Sequence, residues 1–222
     1  MGETPTASGR GGYLPALRFK VLTPLFDAAI RITTREATFK EALVATAALG
    51  AHQRVLDLGC GTGTLAIMAK QYRPDAEVIG LDADPEILEI ARRKAAEAGL
   101  EIDFDRGLAG DLPYPDASCD RVLSTLFFHH LTSDDKRACL AEIRRVLRPG
   151  GELHLADFRA PADPVQAALS WQVRLFDGVT RTRENFTGQL ADIVSDAGFS
   201  DVHDGQRLRT AFGTLGLVSA KR

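Results

Sequence analysis

Arg54-Val55-Leu56-Asp57-Leu58-Gly59-Cys60-Gly61-Thr62-Gly63-Thr64-Leu65-Ala66 is the stretch on which the reading of the chain turns. Its first five residues form a short β-like run that ends in glycine, and Thr64 to Gln71 then repeats apolar residues at helical spacing, with Leu65, Ile67, Met68 and Ala69 available for burial. A strand, a glycine loop and a helix therefore follow one another directly. Glycines at such a turn let another molecule approach the main chain closely. In a doubly wound sheet this position, the carboxyl end of the first strand, is where ligands bind.

Working outward, Glu77 to Leu81 reads as the next strand, and Asp84 is expected to cap a helix with Pro85 at its first position. Ile87, Leu88, Ala91, Ala95 and Ala98 give that helix an apolar face until Gly99 stops it. Glu101 to Arg106 and Arg121 to Thr125 read as strands separated by the turn-rich segment Gly110 to Asp116. Ser133 is expected to cap a helix carrying Ala138, Leu140, Ile143, Val146 and Leu147. Arg148-Pro149-Gly150-Gly151 halts it before a strand from Glu152 to Phe158. Residues 163 to 178 predict an extra helix that breaks the alternation, Asn185 to Ala197 another that ends at Gly198, and Phe199 to Gln206 with Phe212 to Ala220 an antiparallel hairpin.

This alternation predicts an α/β fold, a Rossmann-like doubly wound sheet of seven strands, mostly parallel with a C-terminal antiparallel hairpin and helices on both faces. Residues 1 to 12 are polar and Gly-rich and read as a flexible tail. Residues 13 to 222 form one domain. Within it, residues 13 to 49 are a helical cover, with Leu22, Phe26, Ala29 and Ile30 on one stripe and Leu43, Val44 and Ala47 on another, and residues 159 to 186 an inserted helical lid.

Composition narrows the function. The chain has 222 residues, 45% hydrophobic and 26% charged, and 27 Lys+Arg against 30 Asp+Glu leave a formal charge of −3. Such a chain makes one soluble domain with a real core, and without a basic block a nucleic-acid or anionic-membrane footprint is not expected. Cys60, Cys119 and Cys139 are odd in number and contain no CxxC pair, so neither a disulfide framework nor a zinc site is suggested and a cytoplasmic location is expected. No metal site is expected. The charge-free stretches are too short to span a bilayer, and no apolar signal segment opens the chain.

Gly61-Thr62-Gly63-Thr64-Leu65-Ala66 satisfies the G-x-G-x-x-G/A dinucleotide pattern, and Asp82, closing the second strand, stands where a carboxylate accepts hydrogen bonds from a ribose diol. These residues suit any adenosine ligand, nicotinamide dinucleotides included. Further motifs discriminate. VLDLGCGTG (Val55 to Gly63), VIGLDAD (Val78 to Asp84), DLPYPDASCDRV (Asp111 to Val122), LFFHHL (Leu126 to Leu131) and IRRVLRPGGELHLADF (Ile143 to Phe158) together resemble, in order, the motifs of class I S-adenosylmethionine-dependent methyltransferases. The subtype resembles ubiquinone/menaquinone and small-molecule or phospholipid methyltransferases, and AGF (Ala197 to Phe199) and GTLGLVSAKR (Gly213 to Arg222) agree more loosely.

The resemblance implies S-adenosylmethionine as cofactor, with S-adenosylhomocysteine as product, and a small or lipid-like acceptor. Gly59 and Gly61 would line the methionine part, Asp57 would meet its amino group, Asp82 would hold the ribose hydroxyls and Ala83 would lie beside the adenine. Cys60, a small filler in the loop, and Thr125, at the end of its strand, complete the cofactor contacts. One departure is Leu108, which stands four residues before the Leu-Pro pair where the family often has an adenine-contacting aspartate; backbone groups of Leu108 and Ala109, or Asp111, would substitute.

For the acceptor, His130 with its neighbour His129 could act as a general base, the simpler alternative being that the pair shapes its loop. Asp157 could orient an acceptor or cap the next segment. Trp171, Phe176, Phe26 and Phe19 could build an apolar pocket, or be plain core. Two rival readings stand beside the enzyme: a repurposed, non-catalytic cofactor binder, and an NAD-dependent oxidoreductase. The latter is hard to reconcile with the terminal hairpin and the lack of a Tyr-x-x-x-Lys pair.

Overall fold

The computed structural model describes residues 36–222, so the predicted tail, the aromatic residues Phe19 and Phe26, and the stripe from Leu22 to Ile30 lie outside the described residues. The elements run α1 (Glu36–Ala47), β1 (Arg54–Leu58), α2 (Thr64–Tyr72), β2 (Glu77–Asp82), α3 (Pro85–Glu97), β3 (Asp103–Arg106) and β4 (Cys119–Thr125). A single 3-10 turn (Phe128–His130) leads into α4 (Ser133–Val146), β5 (Leu147–Phe158), α5 (Pro164–Asp177), α6 (Val179–Phe186), α7 (Leu190–Asp196), β6 (Ser200–Thr210) and β7 (Gly213–Lys221).

The strands form one seven-stranded sheet in the order β3-β2-β1-β4-β5-β7-β6. The first five pair in parallel, and β7 lies antiparallel between β5 and β6. This is the predicted architecture. Because side chains alternate across a strand, β1 divides its residues between two cores. Val55 joins Leu65, Ala66 and Ala69 of α2, Leu88, Ala91 and Ala95 of α3, and Phe39, Leu43, Val44 and Ala47 of α1. Leu56 and Leu58 face the other way, onto Cys139, Leu140, Ile143 and Val146 of α4 and Leu190 and Val194 of α7. Asp57 shares the face of Val55, so a carboxylate ends up beside α2 rather than in solvent.

Capping chemistry sets several boundaries. Asp84 caps α3 as expected, its side chain accepting from the Glu86 amide at 2.9 Å, with Pro85 opening the first turn. The cap of α4 is Thr132, not Ser133: the Thr132 hydroxyl accepts from the Asp135 amide, and Ser133 is already inside the helix. The expected helix from Asn185 to Ala197 is two helices, because Thr187, Gly188 and Gln189 separate α6 from α7 and Gly188 takes φ +85°.

The proline-glycine turn also sits differently. The chain enters β5 at Leu147, and Arg148 to Gly151 form a bulge between the pairs Cys119–Leu147 and Arg121–Glu152. Gly150 has φ +77° there, and a Cβ on Gly151 would lie 2.9 Å from the Arg148 carbonyl oxygen, so the bulge requires glycine. Asp120 ties it to the sheet, accepting from Arg148 at 2.7 Å and from the Arg54 amide at 2.8 Å.

Leu140 is fully buried between α4 and the sheet. Leu140→Ala should cost about 2–5 kcal/mol of unfolding free energy, read from urea denaturation followed by circular dichroism.

Candidate functional site

The sheet order reverses between β1 and β4, and the ends of these strands form the crevice where open α/β sheets bind ligands. The glycine loop lines it. Gly59, Gly61 and Gly63 all take positive φ, 68°, 52° and 74°. Backbone bonds fold the loop over β2: the Gly59 and Cys60 amides donate to the Leu81 carbonyl at 2.8 and 3.0 Å. The three glycines are not equivalent. A Cβ on Gly59 would sit 2.5 Å from the Phe127 ring, and one on Gly63 would sit 2.9 Å from Ala91 and Phe104, whereas a Cβ on Gly61 would meet nothing within 4 Å among the described residues. The outer two glycines permit packing, and the middle one faces open space.

Asp57 lies beneath this loop, 1% exposed. Its Oδ2 accepts from the Ala66 amide at 3.0 Å, serving one of the free N–H groups at the start of α2, while its Oδ1 is buried with no partner among the described residues. Burial pushes its pKa up to about 7, against the opposing charge of Lys40 on α1 and the bond from Ala66. An acid held that far from its ordinary range with an unsatisfied oxygen matches a missing cationic partner. Asp82, at the end of β2, accepts from the Gly61 amide at 2.9 Å and from the Asp84 amide at 3.0 Å. A carboxylate has about four lone-pair sites, so Asp82 holds the loop and keeps acceptor capacity toward the crevice.

The remaining predicted cofactor residues stand at or just beyond the ends of β1, β2, β3 and β4. The Ala83 carbonyl accepts from Arg106 at 3.3 Å. Leu108 is 59% exposed, and its carbonyl closes a turn by accepting from the Asp111 amide at 3.1 Å, with Ala109 inside that turn. Cys60 is buried, its Sγ 3.0 Å from where a Gly80 Cβ would be, and burial raises its thiol pKa, which fits the filler role. Thr125 ends β4 opposite Ala156. The buried Asp57 oxygen, the open face of Gly61 and the spare acceptors of Asp82 fit an ammonium-bearing amino acid joined to a ribose, as in S-adenosylmethionine.

After Thr125 the chain turns sharply at Leu126, a non-glycine residue with φ +51°, and Phe127 packs against Gly59. That turn delivers His129 and His130. His129 is buried: its Nδ1 lies 2.7 Å from Asp157 Oδ1, and its amide donates to Asp157 Oδ2 at 3.2 Å. Its Nε2 lies 3.7 Å from Asp177 Oδ2 at the end of α5, and His130 Nδ1 lies 3.2 Å from Asp177 Oδ1. Burial opposes charge on the His129 imidazole, but Asp157 and Asp177 outweigh it and hold the group above the ordinary histidine range. Burial and the adjacent His129 push His130 below that range.

Sequence reasoning pointed to His130 and Asp157, but the structure joins Asp157 to His129 and gives His130 a different partner, Asp177. Asp177 carried no motif signal. Trp171 and Phe176, read as pocket lining or plain core, are 49% and 88% exposed, so they are not plain core. Lys40, whose charge reaches Asp57, and Lys94, which donates to Thr62 and Thr64 at 3.1 and 2.7 Å to brace the loop, were also missed.

Fold and loop define a doubly wound α/β protein with a glycine-lined site at its topological switch. The family described as "Methyltransferase domain" matches residues 55–151. A demethylmenaquinone methyltransferase of Deinococcus radiodurans is 38% identical over 68% of this chain and 63% of the relative, so the chain spans less than two thirds of that protein. A second, from Listeria welshimeri, is 33% identical over 72% of this chain and 77% of the relative. Among solved structures, the YcgJ protein of Bacillus subtilis superimposes with a TM-score of 0.58 at 24% identity, covering 82% of this chain and 97% of that one. The chain belongs to the S-adenosylmethionine-dependent methyltransferase family. That membership leaves the oxidoreductase reading without support.

The raised Asp57 pKa carries a signed consequence. The folded state keeps a proton that the unfolded carboxyl releases in the ordinary carboxylate range, so this group's contribution to stability falls as pH rises from about 4 through about 7. Thermal melts of the ligand-free protein and of Asp57→Asn across that range should diverge, the parent losing stability relative to the variant as pH rises; parallel profiles would place the effect elsewhere.

Proposed function

We propose that the protein transfers the methyl group of S-adenosylmethionine to a small, lipid-like acceptor of quinone type in the cytoplasm. The observation that carries this reading is the buried Asp57 carboxylate with one unpartnered oxygen beneath a glycine loop whose middle residue is open. Asp57 Oδ1 would take the ammonium of the cofactor, Gly59 and Gly61 would line its methionine chain, and Asp82 would accept from the ribose hydroxyls. Ala83 and the turn at Leu108 and Ala109 would border the adenine, with Cys60 and Thr125 completing the wall.

Bound S-adenosylmethionine supplies a methyl group already activated on a sulfonium. The chain's own residues therefore need to align an acceptor and exclude water. In this reading His130, 41% exposed at the mouth, hydrogen-bonds the acceptor, and Asp157 is a positioning residue acting through His129. Residues 159 to 186, which contain α5 and α6, form the lid, while α1 packs into the core beside α2. Leu175 and Phe176, 74% and 88% exposed beside Asp177, offer apolar surface suited to a lipid-like acceptor. The names of the relatives favour a quinone ring, and the net charge of −3 favours a small acceptor over nucleic acid. No helix among the described residues is long and apolar enough to cross a membrane.

Asp82→Ala removes two charge-assisted acceptors and should weaken S-adenosylmethionine binding by roughly 100-fold, read by calorimetry. Near-wild-type affinity would remove Asp82 from the ribose site. Incubation with S-adenosylmethionine and a demethylated naphthoquinol, followed by mass spectrometry, should show a methylated product and S-adenosylhomocysteine; binding without turnover across quinone acceptors would favour a non-catalytic cofactor binder. In the same assay His130→Ala should lower turnover while leaving cofactor affinity unchanged.

A further inference from the structure

The cluster at the ends of the 3-10 turn and α5 holds more than the acceptor contact given to His130 requires, since Asp177 has no part in that contact. His129, His130 and Asp177 each present a ligand atom, and these atoms lie within 4.8 Å of one another. We propose that His129, His130 and Asp177 form a binding site for one divalent first-row transition ion of the Zn2+ class, with Asp157 as the carboxylate that orients His129.

The distances suit such an ion. With metal–nitrogen and metal–oxygen bonds of about 2.0–2.2 Å, a four-coordinate ion separates its ligand atoms by roughly 3.3–3.5 Å. His129 Nε2 is 3.7 Å from Asp177 Oδ2, and His130 Nδ1 is 3.2 Å from Asp177 Oδ1. These contacts run to different Asp177 oxygens and the three ligand atoms lie within 4.8 Å of one another, so His130 and Asp177, the part-exposed members, would move toward His129 to meet a common ion. Two imidazoles and one carboxylate are also the donor set that borderline metals prefer over Mg2+ or Ca2+, which take all-oxygen sites.

An independent feature is the bond on the far side of His129. Metal-bound histidines almost always give their other ring nitrogen to a carboxylate or carbonyl, which fixes the tautomer and aims the free nitrogen. Asp157 does this at 2.7 Å from Nδ1, and because His129 and Asp157 are both buried, the ring cannot swing away. Nε2 is left pointing at the two other ligands. An ion has a way in, since His130 and Asp177 are 41% and 23% exposed, and with three protein ligands a further position stays open. The ion would clasp α5, and with it the segment proposed as the lid, to the turn that follows β4.

The test uses the full chain, stripped with a chelator and titrated with Co2+, followed by visible absorption and then displaced with Zn2+. The proposal expects one ion per chain, with the ligand-field bands of a four- or five-coordinate site. His130→Ala and Asp177→Asn should abolish those bands, and Asp157→Asn, which touches no ion, should weaken binding by about 10–100-fold. His203→Ala, on the exposed edge strand β6, should bind as the parent does. Circular dichroism melts of each variant separate lost binding from lost folding, and His130, being part-exposed, is the substitution the fold tolerates most readily. Absence of Co2+ or Zn2+ binding by the parent chain, or binding that survives both His130→Ala and Asp177→Asn, overturns the proposal. The readout is independent of methyl transfer.

Discussion

The interaction on which the site depends is the burial of the Asp57 carboxylate at the end of β1, against the start of α2. A charged group taken from water needs partners, and the protein provides only half of them: one oxygen receives the Ala66 amide and the other receives nothing among the described residues. Burial accordingly drives the group toward the neutral form at a pH near 7. A cationic ligand that reached Oδ1 would reverse this, restoring the carboxylate and completing its hydrogen bonding. The cost of folding around an incompletely solvated acid is then the driving force for binding at that point.

The surroundings keep this arrangement in place. Asp82 fastens the loop from the β2 side through the Gly61 amide, Lys94 braces Thr62 and Thr64 from α3, and Phe127 closes on Gly59 from the far side. Glycines with left-handed φ are required where neighbours press in, at Gly59 and Gly63, while Gly61 leaves room. Phe127 also couples the two halves of the crevice. The residue that limits the glycine loop is the one that starts the turn carrying His129 and His130, so the loop and the histidine turn share a wall.

Local signals made the first half of the molecule legible. The β1 run, the glycine loop, the placement of Asp82 and the Asp84-Pro85 helix start are short-range features whose physics is contained in a few residues, and they stand in the structure as read. So does the sheet, because regular alternation leaves few topologies. What could not be read depends on long-range packing. Asp177 meets His129 and His130 only because the last residue of α5 reaches the 3-10 turn, and no spacing rule connects residue 177 to residue 129. The hydrogen-bond partner of Asp157 was equally hidden, since either histidine of the pair could have faced it. Trp171 and Phe176 are large apolar residues in a helix, yet both are exposed, and the packing of Gln166, Ser170 and Val173 decides which side of α5 is buried. The bulge at Arg148 to Gly151 and the break at Thr187 to Gln189 show the same limit: turn residues marked both places, but whether they end an element or interrupt one was decided by pairing partners far along the chain.

The central claim is that Asp57 waits for the ammonium of an adenosine-linked amino acid. It is tested most directly by calorimetric titration of the full chain with S-adenosylhomocysteine at pH 6, in two buffers of different ionisation enthalpy, with NAD as the comparison ligand. The account predicts saturable binding of S-adenosylhomocysteine, no binding of NAD, and release of a proton on binding as Asp57 ionises, a release that vanishes in Asp57→Asn. Binding of NAD alone, or binding of S-adenosylhomocysteine with no proton released, would contradict it.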